Sequence, residues 1–371
     1  MKRSKMAGSV LGIFTLYSLL VFYIGWNGWV WLETVFQFQY PGLYALIVGF
    51  IAFAYFLSRF GHRFSIFRMI GSYWMAILQY AILLLPIVNI LVIMSTYGFS
   101  IPLETSIFWS GYLTIFIFFM IFAYGTFNAH SPVVRRYDIH IPKKAGPFKQ
   151  LRIAMASDMH FGTLSGKAHL RRLVKGVNEL NPDLILLPGD IIDDDPEPFI
   201  RKNMGEVMKQ LKAPLGVFGV LGNHEYYGGK IPRFIEQMEK INIKILLDEA
   251  IEIEEGFYVI GRKDRTEKNR LKLNDLLTGL DPARPLLLMD HQPYGLDEAR
   301  AHGIDLMVSG HTHRGQMAPN HLITKKMYEL DWGYLKKGLL HVIVSSGFGF
   351  WGPPIRIGSR SEIVQIDIRF D

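Results

Sequence analysis

Five short polar clusters recur along the C-terminal part of this chain, each directly behind an apolar run. In order they are Asp158 and His160 in SDMH, Asp190 and Asp193 in GDIID, Asn223 and His224 in GNHE, His291 in DHQP, and His311 and His313 in GHTH. Carboxylate, imidazole and amide oxygen together make a borderline-hard donor set that suits Mn, Fe(II) or Zn. One Asp-x-His alone is weak evidence, because a single histidine is more often structural. Five clusters in this order predict a shared metal centre, with His311 and His313 as two of its ligands. The chain has no cysteine, so thiolate sites and disulfides are both excluded.

The elements that must position these residues read as short strands. LRIAMAS, DLILLPG, PLGVFGVLG, PLLLM, IDLMVSG and HVIVSSG are rich in Val, Ile and Leu and have strand length. Between them, SGKAHLRRLVKGVNEL and IPRFIEQMEKI show helical spacing. This alternation predicts an α/β layered domain, in which ligands collect beyond the carboxyl ends of strands. An Asp-x-His or His-x-His at such an end lets both side chains reach one side of the site. Met204, Val207, Met208 and Leu211 fall at helical spacing and read as core. Asp194 and Asp195 read as a solvated loop edge, and His62, His130, His140, His169, His302, His321 and His341 as structural.

The first third of the chain differs in kind. Residues 6–32, 34–58, 69–103 and 105–134 hold no Lys, Arg, Asp or Glu. Each run exceeds the ~20 residues that a helix needs to cross the bilayer core. STYGFSIP, residues 95–102, reads as the turn that ends the third run. The sequence therefore predicts an α-helical transmembrane bundle of four helices, near residues 7–26, 42–59, 67–94 and 106–128. MKRSK at the start would suit a signal peptide, but no small-residue cleavage site follows and three more spans do. Gln79 and Asn89 are polar within span three, and without an ionisable group there a transport path is not supported.

Charge marks the same boundary. Residues 1–150 carry 11 Lys/Arg against 3 Asp/Glu, and the remainder 29 against 30. The positive excess belongs to the apolar half and its flanks; it is not the basic stripe on a folded domain that nucleic-acid binding needs. Lys2, Arg3 and Lys5 precede span one, and Arg59, Arg63 and Arg68 separate spans two and three. Arg135, Arg136, Lys143 and Lys144 follow span four, whereas the other two loops carry Glu33 and Glu104. The positive-inside rule then puts both termini in the cytoplasm. The expected organisation is a four-helix transmembrane region over residues 1–130, a linker with the first strand over 131–150, and an α/β domain over 151–371.

The series D-x-H, G-D-x-x-D, G-N-H-E, His and G-H-x-H resembles that of the calcineurin-like metallophosphoesterase superfamily. GHTHRGQ (residues 310–316) and GFGFWGPPIRIG (residues 347–358) look like its bacterial YkuE and YaeI type branch. The resemblance covers roughly residues 135–371 and implies a four-layer α/β/β/α sandwich holding two divalent cations, Mn²⁺, Fe²⁺ or Zn²⁺. Asp158, His160 and His313 would hold one, and Asn223, His291 and His311 the other, with Asp190 bridging. Two cations roughly 3.5–4 Å apart hold a water as hydroxide near neutral pH, for attack on phosphorus, and neutralise charge on a phosphoryl oxygen. His224 would protonate the leaving oxygen, with Asp193 orienting and charging its imidazole. Arg314, where relatives often have glycine, and Arg356 are candidate phosphate contacts.

The function so implied is a membrane-integral phosphoester hydrolase, a phosphatase or phosphodiesterase, with its catalytic domain in the cytoplasm. Its favoured substrate class is a lipid or lipid-linked phosphoester, and its partner is the lipid bilayer. The rival is a non-catalytic membrane sensor or scaffold that keeps the fold. That rival would show a lost ligand or a lost His224, and all are present.

Overall fold

The computed structural model describes residues 2–58 and 65–371. Arg59, His62 and Arg63 lie outside the described residues, as do the side chains of Lys2, Arg3 and Lys5. The chain divides into two compact units, residues 1–123 and 124–371.

The first unit is helical. Its elements are α1 (Lys2–Phe36), α2 (Pro41–Leu57), α3 (Ser65–Ile93), a π-helical turn (Met94–Gly98) and most of α4 (Leu103–His130). Among the described residues, three stretches are long and apolar enough to cross a membrane: Gly8–Phe36, Ile66–Gly98 and Leu103–His130. The second expected span falls short of that length. α2 has 17 residues, about 26 Å at ~1.5 Å per residue, against a core of ~30 Å. α1 in turn runs ten residues past its expected end at residue 26, through the Asn27-Gly28 pair, because no proline interrupts it before Phe36. Small residues let these helices approach closely. A Cβ on Gly71 would stand 2.5 Å from the Tyr55 backbone nitrogen. Asn89 Nδ2 donates to Tyr23 Oη at 2.9 Å, so this polar side chain ties α3 to α1.

The second unit begins in the last turns of α4, and only Ser131 and Pro132 separate that helix from the first strand. Of the stretch expected as linker and first strand, nine residues form the first strand. β1 (Val133–Ile141) pairs in parallel along all nine residues with the C-terminal strand, β12 (Glu362–Phe370). Two mixed six-stranded sheets follow. The first has the order β1, β12, β2 (Gln150–Met155), β3 (Leu184–Pro188), β4 (Val217–Val220), β5 (Ile243–Ile245). The second contains β6 (Glu249–Ile253), β7 (Phe257–Gly261), β8 (Leu286–Met289), β9 (Leu306–Ser309), β10 (Gly333–Lys337) and β11 (Leu340–Val344). Its order is β10-β11-β9-β8-β7-β6.

Strand side chains alternate between two surroundings. Leu151, Ile153 and Met155 of β2 join one cluster with Val259, Leu287, Met289 and Leu306 of the second sheet. Ala154, between them, belongs to a cluster with Leu170, Leu173 and Val177 of α5 (Lys167–Asn178). Met204, Val207, Met208 and Leu211 are buried in that same helical cluster, as their spacing predicts. The opposite face of the second sheet packs Ile260, Leu288 and Val342 against Leu273, Leu296 and Ala299. The central strands of each sheet run parallel, so their carboxyl ends share one edge. That edge carries the polar clusters.

Candidate metal centre

The seven predicted ligands leave the ends of five strands in tight turns. Asp158 and His160 follow β2, Asp190 follows β3, and Asn223 opens a short helix (Asn223–Gly228) after β4. His291 follows β8, and His311 and His313 follow β9. Five of these seven residues sit at positive φ: Asp158 (50°), His160 (44°), Asp190 (50°), His311 (72°) and His313 (49°). This left-handed backbone costs a non-glycine residue about 1–3 kcal/mol each and persists only where surrounding contacts fix it. Here they do. Asp158 N donates to Gly189 O at 3.1 Å, His160 N to Asp190 O at 3.0 Å, and Gly349 N to Asp158 O at 2.9 Å.

The ligand atoms converge in two neighbouring groups, Asp158–His160–His313 and Asp190–His291–His311. Asn223 joins the second. Its Oδ1 lies 2.8 Å from His311 Nδ1 and 3.2 Å from His291 Nε2. Asp190 Oδ2 stands between the groups, 3.2 Å from His291 Nε2 and 3.8 Å from His160 Nε2. Glycines make room for this packing. A Cβ on Gly222 would come within 2.2 Å of Asp190 Oδ1, and one on Gly310 within 2.1 Å of Asp158 Oδ2.

The donor set fits divalent cations on its own chemistry. His291 Nδ1 donates to Pro188 O at 2.8 Å, so a neutral His291 turns a lone pair from Nε2 toward Asn223 Oδ1 and Asp190 Oδ2. His160 Nε2 and His313 Nε2 face each other at 3.0 Å, with their rings stacked. At His291 the Nε2 lone pair faces oxygen lone pairs, and these repel unless a proton or a metal cation lies between them. The titration tendencies agree. Burial would lower the His291 pKa, but the Asp190 carboxylate outweighs burial and holds it well above the ordinary histidine value. Burial pushes the Asp158 carboxyl up to about 6 and the His160 imidazole down to about 3, the latter leaving a neutral ligand.

His224 lies beside the ligands, its ring 4.6 Å from that of His160. Its Nδ1 contacts Asp194 Oδ1 at 2.7 Å, while Asp193 Oδ1, expected to orient it, stands at 3.9 Å. Asp194 is therefore not a solvated loop edge. Its φ of 58° swings it over the helix that carries His224, where a Cβ on Gly228 would meet its carbonyl. Burial would lower the His224 pKa, but the Asp194 hydrogen bond and the charges of Asp190, Asp194 and Asp193 push it up to about 9.

The arginines also depart from expectation. Arg356, a candidate phosphate contact from sequence, is fully buried. Its Nε donates to Gly349 O at 3.0 Å, its Nη2 to Gly347 O at 3.1 Å, and its Nη1 to Ser359 Oγ at 3.2 Å, and Nη2 lies 3.3 Å from His313 Nδ1. It secures the loop behind Asp158 and His313, with its donors spent on protein oxygens. The Arg356 backbone is held in turn by α4: its N–H donates to Gly125 O at 2.9 Å, and Asn128 Nδ2 donates to its carbonyl at 3.1 Å. Arg314 lays its guanidinium over the Trp332 ring, 4.0 Å from the centroid.

Glu225 was missed as a positioning residue. Its carboxylate accepts from Gly222 N (2.7 Å), Asp190 N (3.2 Å) and Ile192 N (2.9 Å), tying two ligand turns together. The legible signal was its place three residues after Gly222, the capping-box position of a helix start. Glu225→Gln would set an amide NH₂ against backbone N–H groups in a buried site. We expect a loss of about 1–3 kcal/mol, measured as a lowered unfolding midpoint of the metal-free protein. An unchanged midpoint would remove Glu225 from this role.

Known proteins with the same features bear on the assignment. The family model for calcineurin-like phosphoesterases matches residues 151–315. A Danio rerio protein named as a transmembrane protein with metallophosphoesterase domain is 30% identical over 274 residues, 69% of this chain and 62% of that protein. An uncharacterized metallophosphoesterase of Aquifex aeolicus is 30% identical over 267 residues, 69% of this chain and 98% of its own length. The uncharacterized metallophosphoesterase YkuE of Bacillus subtilis is 25% identical, over 60% of this chain and 80% of the relative. The chain thus spans less than two thirds of its Danio rerio relative and nearly all of the Aquifex one. With the family's ligand series in place at the ends of the strands, the chain belongs to the calcineurin-like metallophosphoesterases.

Proposed function

We propose that this chain is a membrane-integral, dinuclear-metal-dependent phosphoester hydrolase. Its four apolar helices cross the bilayer, α2 with its 17 residues at the lower limit for a span, and its two sheets form the inner layers of a four-layer α/β/β/α sandwich facing the cytoplasm. The observation that carries the reading is the convergence of seven donor residues from five strand ends into two neighbouring groups, with Asp190 Oδ2 between them. In this reading Asp158, His160 and His313 hold one cation, and Asn223, His291 and His311 the other. The cations would supply Lewis acidity, lowering the pKa of a water and neutralising charge on the phosphoryl oxygens.

The remaining chemistry falls to this chain's own residues. Water oxygen bonds to phosphorus and releases one proton to solvent, from which His224 is later reprotonated; the phosphorus–oxygen bond to the leaving group breaks, and that oxygen needs a proton. His224, held protonated by Asp194 and Asp193, gives the proton from Nε2 while Nδ1 stays on Asp194. Arg314, one residue past His313, is the candidate phosphate contact that remains in reach of solvent.

The substrate we favour is a lipid or lipid-linked phosphoester. Its support is the short path from α4 to β1, since a two-residue connection leaves the domain no long tether from the bilayer. The experiment is phosphorus-resolved hydrolysis by full-length protein across nucleotide, sugar and lipid phosphoesters, with and without a chelator. We expect turnover that chelation abolishes and a divalent cation such as Mn²⁺ restores. Folded, cation-loaded protein that cleaves none of them would overturn the reading.

Orientation is tested in the cysteine-free chain. Gln39→Cys and Thr105→Cys should label from outside intact cells, and Glu239→Cys only after the membrane is opened. External labelling of Glu239→Cys would reverse the topology.

A further inference from the structure

Beside the metal centre, a short helix (His321–Met327, HLITKKM) leaves its apolar side chains uncovered. Leu322, Ile323 and Met327 are 56%, 58% and 57% exposed. At ~100° per residue they share an arc of about 140°, with the exposed Lys325 and Lys326 within or beside it. Thr324, on the opposite side, is tied inward by its hydrogen bond to Asp331 Oδ2 at 2.7 Å. Exposed Leu, Ile and Met flanked by lysines whose stems can lie along apolar surface match a helix at a membrane interface. No Asp or Glu occurs from Arg314 to Tyr328. The first acidic residue beyond, Glu329, is paired with Lys337 at 2.7 Å.

Two connections place this helix. At one end it rests on the turn that follows His313, where a Cβ on Gly315 would stand 2.4 Å from His321 N. On the other side, Ala318 N donates to Ile357 O at 2.8 Å, and Arg356 N donates to Gly125 O in α4 at 2.9 Å. The helix is thus two hydrogen-bonded steps from the last turns of α4, whose Tyr124 and Phe127 are themselves 58% and 56% exposed. An apolar surface of this kind on a soluble face marks an interaction site. Its continuity with the end of α4 selects the occupant.

We propose that His321–Met327 docks in the inner leaflet, with Leu322, Ile323 and Met327 among the acyl chains and Lys325 and Lys326 at anionic headgroups. The metal-centre turn Gly310–Gln316 is thereby held at the membrane surface, where a lipid phosphoester can enter without leaving the bilayer. This rests on α4 crossing the membrane, and the test separates the two claims.

Single cysteines in the full-length chain carry an environment-sensitive fluorophore, in vesicles of phosphatidylcholine and phosphatidylglycerol with or without brominated acyl chains. Phe116→Cys, within α4, reports whether that helix is in the bilayer, and Glu239→Cys serves as the aqueous control. We expect the label at Ile323→Cys to shift to the blue and lose most of its emission to bromine, as at Phe116→Cys, while Glu239→Cys does neither. Quenching at Phe116→Cys without quenching at Ile323→Cys would overturn the docking and leave the membrane reading intact. A blue shift at Ile323→Cys that bromine leaves untouched and lipid dilution of the protein removes would mean that a second copy covers this face. That too would overturn the proposal. The unlabelled variant Ile323→Glu should keep wild-type turnover of a small soluble aryl phosphoester and lose turnover of a lipid phosphoester. Equal retention of both would sever the helix from substrate access.

Discussion

Asp190→Asn should strip the centre of both cations' affinity while the chain remains folded. Asp190 is 2% exposed, and its Oδ2 lies 3.8 Å from His160 Nε2 in one ligand group and 3.2 Å from His291 Nε2 in the other. Burial would raise its pKa, but His291, His160 and His224 outweigh burial and hold it ionised well below the usual carboxylate range. Asparagine keeps the shape and the acceptor but deletes the charge. Removing one partner from a buried charged cluster costs roughly 3–5 kcal/mol, which as a loss of cation affinity at 1.4 kcal/mol per decade is about 10²-fold to 4 × 10³-fold. Hydrolysis should fall at least in proportion at limiting metal. Titration of metal-free variant and wild type with Mn²⁺, read by calorimetry, checks this directly. Wild-type affinity at both sites in Asp190→Asn would show that this carboxylate bridges nothing.

His224→Asn should separate chemistry from metal binding. His224 Nδ1 is taken by Asp194, and neither atom belongs to the proposed ligand set. Asparagine cannot deliver a proton to a leaving alkoxide. Loss of a general acid costs about 10²–10⁴-fold, but only where the leaving group needs the proton. Alkyl phosphoesters should therefore slow by that factor, nitrophenyl esters by much less, and the cation content should hold. Asp194→Asn should follow the same pattern more weakly, because Asp193 still lies near the ring at 3.9 Å. An equal loss on activated and unactivated esters would assign His224 to positioning.

These two residues also show what sequence can and cannot reveal. The ligand turns were legible because each chemistry-bearing residue sits at a fixed offset from an apolar strand, and the strand's own periodicity announces its end. The choice between Asp193 and Asp194 was not. It depends on the left-handed turn at Asp194 and on the close approach of Gly228, which only the folded loops bring together. Arg356 misled for a related reason. An arginine in a glycine- and proline-rich loop looks exposed until backbone carbonyls from residues seven and nine positions away close around it. In the apolar third, the uncharged runs located every helix, yet the helix ends were set by local turn chemistry. Hence α1 runs on to Phe36, ten residues past its expected end, while α2 starts at Pro41, within a residue of expectation, and stops at Leu57.

The most direct measurement is the number of divalent cations that the full-length, metal-free protein binds per chain, taken together with the hydrolytic rate at each step of the titration. Two cations per chain, with turnover appearing only as the second site fills, is the predicted result. One cation sufficing for full turnover, or turnover undiminished in the metal-free protein, would contradict a dinuclear phosphoester hydrolase.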